Sequence, residues 1–95
     1  MREDFKDVYK GFVNKYGEKS QRTQAIEEMS ELIKELCKLD RFLGTEKEKE
    51  VKDNIREEIA DVLNMVEQLE YIYGEEEIEN IRNFKIERGK NLYLK

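Results

Sequence analysis

The chain has 95 residues, of which 43% are charged and 38% are hydrophobic, and its formal net charge is −5. This length fits one small domain over residues 1–95 with a modest core, and the acidic balance disfavours nonspecific binding to nucleic acid. The absence of histidine excludes Glu-x-x-His di-iron sites, the common zinc hydrolase sites and every catalytic Ser–His or Cys–His pair.

Apolar residues recur at helical spacing, and the lack of proline with abundant Glu, Lys, Leu and Ile favours an all-α domain. A first helix is predicted from about Arg2 to Tyr16, ending at Gly17. A second is predicted from about Ser20 to Phe42, ending at Gly44.

The second half of the chain predicts two more helices. The third begins at Thr45, which forms a capping-box pattern with Glu48, and continues to Tyr73 before Gly74. The fourth begins in the acidic run 75–77 and frays after Arg88 at Gly89. Because the connection at Gly44 is short, the second and third helices should form a long antiparallel hairpin, giving a four-helix arrangement.

Glu58 is unusual because it falls inside the apolar face of its own helix. At about 100° per residue, that face also contains Val51, Ile55, Val62, Met65 and Leu69, and Asp61 lies about 60° to one side. Glu67 and Glu70 are predicted to project toward solvent. The second helix has an apolar stripe with Glu28 at its edge and Glu31 beyond it; the stripe comprises Ile26, Met29, Leu32, Ile33, Leu36 and Leu43.

The hairpin places two pairs of carboxylates at matching heights. Glu31 is level with Glu58, and Glu28 is level with Asp61, so the four groups fall within about 5 Å of axial height. Four carboxylates in a partly dry crevice must bind protons, pair with cations such as Lys34 or Lys38, or hold a metal ion. Oxygen ligands without histidine or thiolate would select Mg²⁺ or Mn²⁺.

Two further expectations concern location and the single cysteine. Cys37 cannot form an internal disulfide, which favours a reducing cytoplasm, and we interpret it as a small buried apolar residue. No apolar run at either end is long enough for a signal peptide or a membrane span, so no membrane partner is expected.

Two sequence segments resemble the MazG-like nucleoside triphosphate pyrophosphohydrolases of the all-α NTP pyrophosphatase superfamily. The segment from Glu27 to Leu32, followed by Glu58 to Asp61, is similar to the EExxE…ExxD signature of that family. The segment from Asn83 to Arg88 is similar to its basic N-x-K-x-x-R segment. The resemblance covers about residues 24–88 and is closest to small single-domain phage or bacterial members.

The resemblance implies Mg²⁺-dependent cleavage of a nucleoside triphosphate into the monophosphate and pyrophosphate. The metal ligands would be Glu28, Glu31, Glu58 and Asp61, and Glu27 would orient water or a lysine. Lys85 and Arg88 would meet the phosphates. Asn64, one helical step after Asp61, is a further candidate for substrate binding, on spacing alone.

The resemblance also implies a homodimer or a homotetramer built as a dimer of dimers, with Leu69, Ile72 and Tyr73 as candidate interface residues. Some family members hold the base with tryptophan or histidine, which this chain lacks. The candidates for stacking on a base also fit a core or a subunit interface: Tyr9, Phe12, Tyr16, Tyr71 and Tyr73. The alternative function is that of a non-enzymatic acidic helical protein that binds or regulates a partner.

Overall fold

The computed structural model describes residues 2–94, which form helices joined by short connections. A 3₁₀ turn over Glu3–Phe5 leads into α1 (Lys6–Tyr16), α2 (Glu18–Phe42), α3 (Glu48–Tyr73) and α4 (Glu75–Tyr93). The prediction of an all-α fold with four helices is confirmed, and residues 2–94 contain no strand. None of these helices has both the length and the apolar character that crossing a bilayer requires.

Four helix boundaries differ from the predictions: the starts of α1, α2 and α3 and the end of α4. Helix α2 starts at Glu18 because a single residue, Gly17, separates it from α1 with φ +91°. The Gly17 N–H donates to the Val13 carbonyl at 2.8 Å, and the Gly17 carbonyl accepts from the Gln21 N–H at 3.1 Å. Helix α4 continues past Gly89 to Tyr93, since a glycine weakens a helix without ending it unless the backbone also turns.

The turn between α2 and α3 uses the two predicted capping residues, but in a different register. The Glu48 carboxylate accepts from the Gly44 N–H at 2.8 Å, and this bond is the largest cause of its lowered pKa. The Thr45 hydroxyl donates to the Phe42 carbonyl at 2.7 Å and accepts from the Lys47 N–H at 3.2 Å. Helix α3 therefore begins at Glu48, three residues after the predicted start.

Helices α2 and α3 pack along most of their length, but only part of the predicted apolar stripe of α2 takes part, with Met29 and Leu32 half-buried. The buried residues of α2 are polar or small: Gln21, Ala25 and Glu35. Ile26 and Ile33 are 64% and 61% exposed. Helical periodicity shows which residues of a helix form an apolar stripe, but not which helix that stripe packs against. Here the face of α2 that carries Glu28 and Glu35 packs against α3.

Helix α1 lies across one side of the hairpin and completes a small core. Its Tyr9 hydroxyl donates to the Asn64 side-chain carbonyl at 3.0 Å, and beneath it the Gln21 amide donates to the Gln68 carbonyl at 2.7 Å. The buried apolar residues come from α1, α2 and α3: Tyr9, Val13, Ala25, Val51, Ile55 and Met65. Tyr9 is the only one of the five candidate aromatic residues that is buried.

Three expectations about exposure are wrong. Glu70 is only 5% exposed and Glu67 is half-buried, because neighbouring segments cover this flank of α3. The Arg2 backbone N–H donates to the Glu67 carboxylate at 3.1 Å. On α4, the pKa of Arg82 is raised mainly by its hydrogen bond to Glu79, and the nearby charge of Glu70 also contributes. Cys37 is exposed and free, since it lies on the side of α2 opposite the α3 contact.

Helix α4 packs against α3 but not against α1 or α2 along its length, and it contains no buried residue. The structure consequently measures 43 × 42 × 23 Å, with a radius of gyration of 16.4 Å. A compact domain of this length would have a radius of gyration of about 12 Å. The single chain thus leaves much of α4 and much of the apolar stripe of α2 exposed.

The glycine at the α3–α4 junction should respond to alanine in the opposite sense from a glycine within a helix. Gly74 has φ +108°, so Gly74→Ala should lower the free energy of unfolding by about 1–3 kcal/mol. Gly11 lies inside α1 with open space around its Cα, so Gly11→Ala should raise it by about 0.5–1 kcal/mol. Urea denaturation of the two variants measures both changes, and equal effects would contradict the assigned junction.

Candidate metal centre

Three carboxylates meet where the middle of α2 packs against the middle of α3. Ligand oxygens of Glu28, Glu58 and Asp61 all lie within 4.8 Å of one another. Glu28 and Glu58 are half-buried and Asp61 is exposed, so the group lies at the mouth of the crevice and not within the core. The antiparallel hairpin therefore brings together three of the four predicted metal ligands.

The other two predicted carboxylates of α2 lie at the margin of this group. Glu31 is exposed and is not among the three clustered carboxylates, although its charge contributes to the raised pKa of Glu58. Glu27 is exposed and borders a cavity formed with residues including Tyr16 and Gln24. Glu27 is turned about 100° around the helix from Glu28, which explains why it does not join the cluster.

No basic side chain in residues 2–94 neutralises the cluster. Within this part of the chain, no ion pair is formed by any of the three carboxylates Glu28, Glu58 and Asp61. Lys38, one of the two predicted cationic partners, binds Glu35 at 3.0 Å instead. The main contact within the chain to this group is a 2.9 Å hydrogen bond that the Gln24 amide donates to Glu28.

Glu58 carries the electrostatic cost of this arrangement. Burial is the largest cause of its raised pKa, followed by the charges of Asp61 and Glu28 and then those of Glu31 and Glu35. Its Oε2 atom is buried and has no hydrogen-bond partner in residues 2–94. An ionised Glu58 is therefore penalised in the chain alone, and a bound cation or a proton would relieve that penalty.

The donor set fits a hard divalent cation. All three clustered side chains offer oxygen, which Mg²⁺ and Mn²⁺ prefer, and an unpartnered buried oxygen is available on Glu58. Octahedral Mg²⁺ with three protein ligands would keep about three positions for water or phosphate oxygens. The exposed position of Asp61 leaves the solvent side open for such ligands.

Two cavities adjoin the cluster on the side covered by α1. One, of about 310 Å³, is bordered by apolar, aromatic and amide side chains: Arg2, Phe5, Val8, Tyr9, Phe12, Asn64 and Gln68. The other, of about 360 Å³, is bordered by Phe12, Tyr16, Ser20, Gln21, Gln24 and Gln68. Asn64, predicted from spacing alone, thus borders a cavity one helical turn from Asp61.

Lys85 and Arg88 are not brought to the carboxylates within one chain. Both are exposed on α4, which packs only against α3 among the helices of residues 2–94. Neither forms an ion pair with Glu28, Glu58 or Asp61, and the Arg88 guanidinium lies 6.0 Å from the centre of the Phe84 ring. Their predicted contact with phosphates would need a second chain or a movement of α4.

Sequence reasoning missed Glu35, which is buried in the same helix–helix contact. It lies one turn beyond Glu31 and two turns beyond Glu28, so its i+4 and i+7 spacing places it on the same face of α2. The prediction considered only carboxylate pairs spaced i, i+3 and therefore passed over it. Glu35 is 8% exposed, and its carboxylate adds negative charge near Glu58.

Comparison of the chain with protein families, curated proteins and solved structures finds no match. The functional interpretation therefore depends on the geometry and charge of the site, together with the motif resemblance.

Removing the Glu58 charge should stabilise the metal-free protein. The native pKa of Glu58 lies above its ordinary value of 4.5, so its ionisation lowers stability as pH rises through the interval between those two values. In EDTA at pH 7, Glu58→Gln should therefore have a higher Tm than the wild type. The difference should shrink as the pH approaches 4.5.

Adding Mg²⁺ at pH 7 should raise the Tm of the wild type more than that of Glu58→Gln, since the variant lacks a charged ligand. Glu57→Gln, an exposed neighbour, is the matched control and should behave like the wild type. Differential scanning fluorimetry measures both effects. If metal-free Glu58→Gln melts at a lower temperature than the wild type, the Glu58 charge does not destabilise the metal-free protein.

Proposed function

We propose that this protein is a Mg²⁺-dependent nucleoside triphosphate pyrophosphohydrolase that produces the nucleoside monophosphate and pyrophosphate. The observation that carries the proposal is the close grouping of Glu28, Glu58 and Asp61 without an ion-pairing basic side chain from residues 2–94. The resemblance to the EExxE…ExxD signature supports the same reaction. A role in nucleotide-pool control in the cytoplasm follows as part of this proposal.

The carboxylates would hold the cation, with Glu31 close enough to join through a water molecule or a rotamer change. Bound Mg²⁺ supplies charge neutralisation of the triphosphate and activation of a water molecule. Glu27, at the exposed margin, would orient that water or a substrate-contacting lysine. Cleavage between the α- and β-phosphates then requires mainly positioning and charge stabilisation, which does not need a histidine.

The cavities on the α1 side are the proposed nucleoside site. Phe12 and Tyr9 offer aromatic surface, and Asn64 offers an amide N–H₂ group while its carbonyl accepts from Tyr9. Aromatic faces and amide groups together suit a planar base with polar edges. The site thus has a place for a nucleoside next to a place for a metal-bound phosphate.

We further propose that the protein acts as a homo-oligomer. Its accessible surface of 7382 Å² exceeds the roughly 5,800 Å² expected for a folded monomer of this mass. The excess, roughly 1,600 Å² for one chain, is about twice the roughly 800 Å² that each partner buries in a standard-size protein–protein interface. The outward stripe of α2 and helix α4 supply apolar surface, and α4 of one copy would carry Lys85 and Arg88 to the phosphates of another.

A pyrophosphate-release screen over all NTPs and dNTPs, with and without Mg²⁺, tests the reaction. At least one nucleotide should be cleaved, and Glu58→Gln should lower kcat/KM by at least about 100-fold. Glu57→Gln should retain wild-type activity. If no nucleotide is cleaved at high enzyme concentration and Mg²⁺ does not alter the Tm, the non-enzymatic alternative replaces this proposal.

Mixing variants tests whether the site is shared between copies. Glu58→Gln and the double variant Lys85→Ala/Arg88→Ala should each be nearly inactive alone. Mixed subunits should regain part of the activity, because one interface would combine intact carboxylates with intact basic residues. Sedimentation velocity gives the oligomeric state, and a monomeric, fully active wild type would contradict the shared site.

A further inference from the structure

A further cavity lies on the other side of the carboxylates, near the Gly44 turn. It has a volume of about 180 Å³, and its wall is formed by Glu35, Lys38, Arg41, Phe42, Lys47, Glu50, Val51 and Asn54. This volume is that of roughly six water molecules, which is enough for two linked phosphate groups. The cavity has no part in the cation site described above.

Three basic side chains and two carboxylates, Glu35 and Glu50, line the cavity, so its wall has a small net positive charge within an acidic protein. The Arg41 guanidinium and the Lys47 ammonium lie 5.7 and 5.6 Å from the centre of the same Phe42 ring. Neither of these two groups pairs with a carboxylate in residues 2–94. Phe42 therefore holds two unneutralised cations at one end of the hairpin, which favours an anion.

Lys38 extends this positive surface toward the carboxylates. Side chains on a helix lean toward its N-terminus, and on α2 that direction leads from the turn toward Glu28. The Lys38 ammonium accordingly reaches back one turn to bind Glu35 at 3.0 Å, which leaves the other Glu35 oxygen buried without a partner. Glu35 thus holds the Lys38 ammonium between the carboxylate group and the basic cavity.

The cavity at Asn64 and Gln68, the carboxylate group and the basic cavity follow one another in this order along the hairpin. Asn64 and Gln68 border the first cavity, Asp61 and Glu58 form the cation site, and Asn54 borders the basic cavity one turn further on. One turn spans about 5.4 Å, so the basic cavity is close enough to meet phosphates that extend from the carboxylate site.

We propose that Lys38, Arg41 and Lys47 form a binding site for the two linked phosphates that become the pyrophosphate product. As to the physiological ligand, this inference rests on the proposed hydrolase function. Glu35 acts as a competitor for Lys38 that the incoming anion displaces. The phosphate-binding residues of one chain would then lie on its own hairpin, in addition to any contribution from α4 of another copy.

Isothermal titration with pyrophosphate in EDTA tests the site without metal or catalysis. Lys38→Met and Arg41→Met should each weaken binding by about ten-fold, because each removes a charge-assisted contact. Glu35→Gln should tighten binding, since it frees Lys38 and removes a negative charge. Lys49→Met, on an exposed lysine paired with Asp53, is the matched control and should bind as the wild type does.

Opposite effects of Lys38→Met and Glu35→Gln support the site, since a merely structural role would not give opposite signs. Equal pyrophosphate affinity in the wild type and in both basic variants would overturn it. If nucleotides are cleaved and these variants leave KM and inhibition by pyrophosphate unchanged, this inference alone fails. If no nucleotide is cleaved but pyrophosphate binding follows the expected order, the anion site stands and the proposed hydrolase function fails.

Discussion

The contact between α2 and α3 combines apolar packing with an unusual concentration of acidic and amide groups. Glu28 and Glu58 meet at its middle, and Gln21 and Gln68 form a buried hydrogen bond toward the end that α1 covers. Like charges at this range oppose folding, and the buried apolar core that offsets them is small. Because these carboxylates lie in the helix–helix contact, the stability of the hairpin depends on their protonation and on any cation that they bind.

The register of the hairpin therefore determines every functional zone at once. The Glu48 and Thr45 side chains fix the turn through bonds to Gly44, Phe42 and Lys47. A slip of one helical turn, about 5.4 Å, would separate Glu28 from its partners and break the Gln21–Gln68 bond. The carboxylate group, the cavity that Gln21 and Gln68 border and the basic cavity therefore depend on one another's positions, since residues of both α2 and α3 contribute to each of these three.

The distribution of polarity also bears on assembly. The inward face of α2 carries Glu28 and Glu35, whereas much of its aliphatic surface, including Ile26 and Ile33, faces outward. A chain that places charge inside and aliphatic surface outside is poorly arranged as an isolated monomer. The extended shape and the lack of buried residues on α4 lead to the same inference, so substrate binding and self-association would share the same two helices.

The four helices, the hairpin and the matching heights of Glu28 and Asp61 are predictable from the sequence, because they follow from helical periodicity, glycine positions and the rise per residue. The sequence also located Glu58 on the inward face of α3. Which face of α2 meets α3 could not be predicted in this way, since an apolar stripe has no preferred partner until the helices pack. That choice turned Glu28 inward, buried Glu35 and left Glu31 at the margin. Lys85 and Arg88 lie away from the carboxylates for the same kind of reason: a motif gives spacing along one helix, whereas the position of α4 relative to the hairpin depends on tertiary packing.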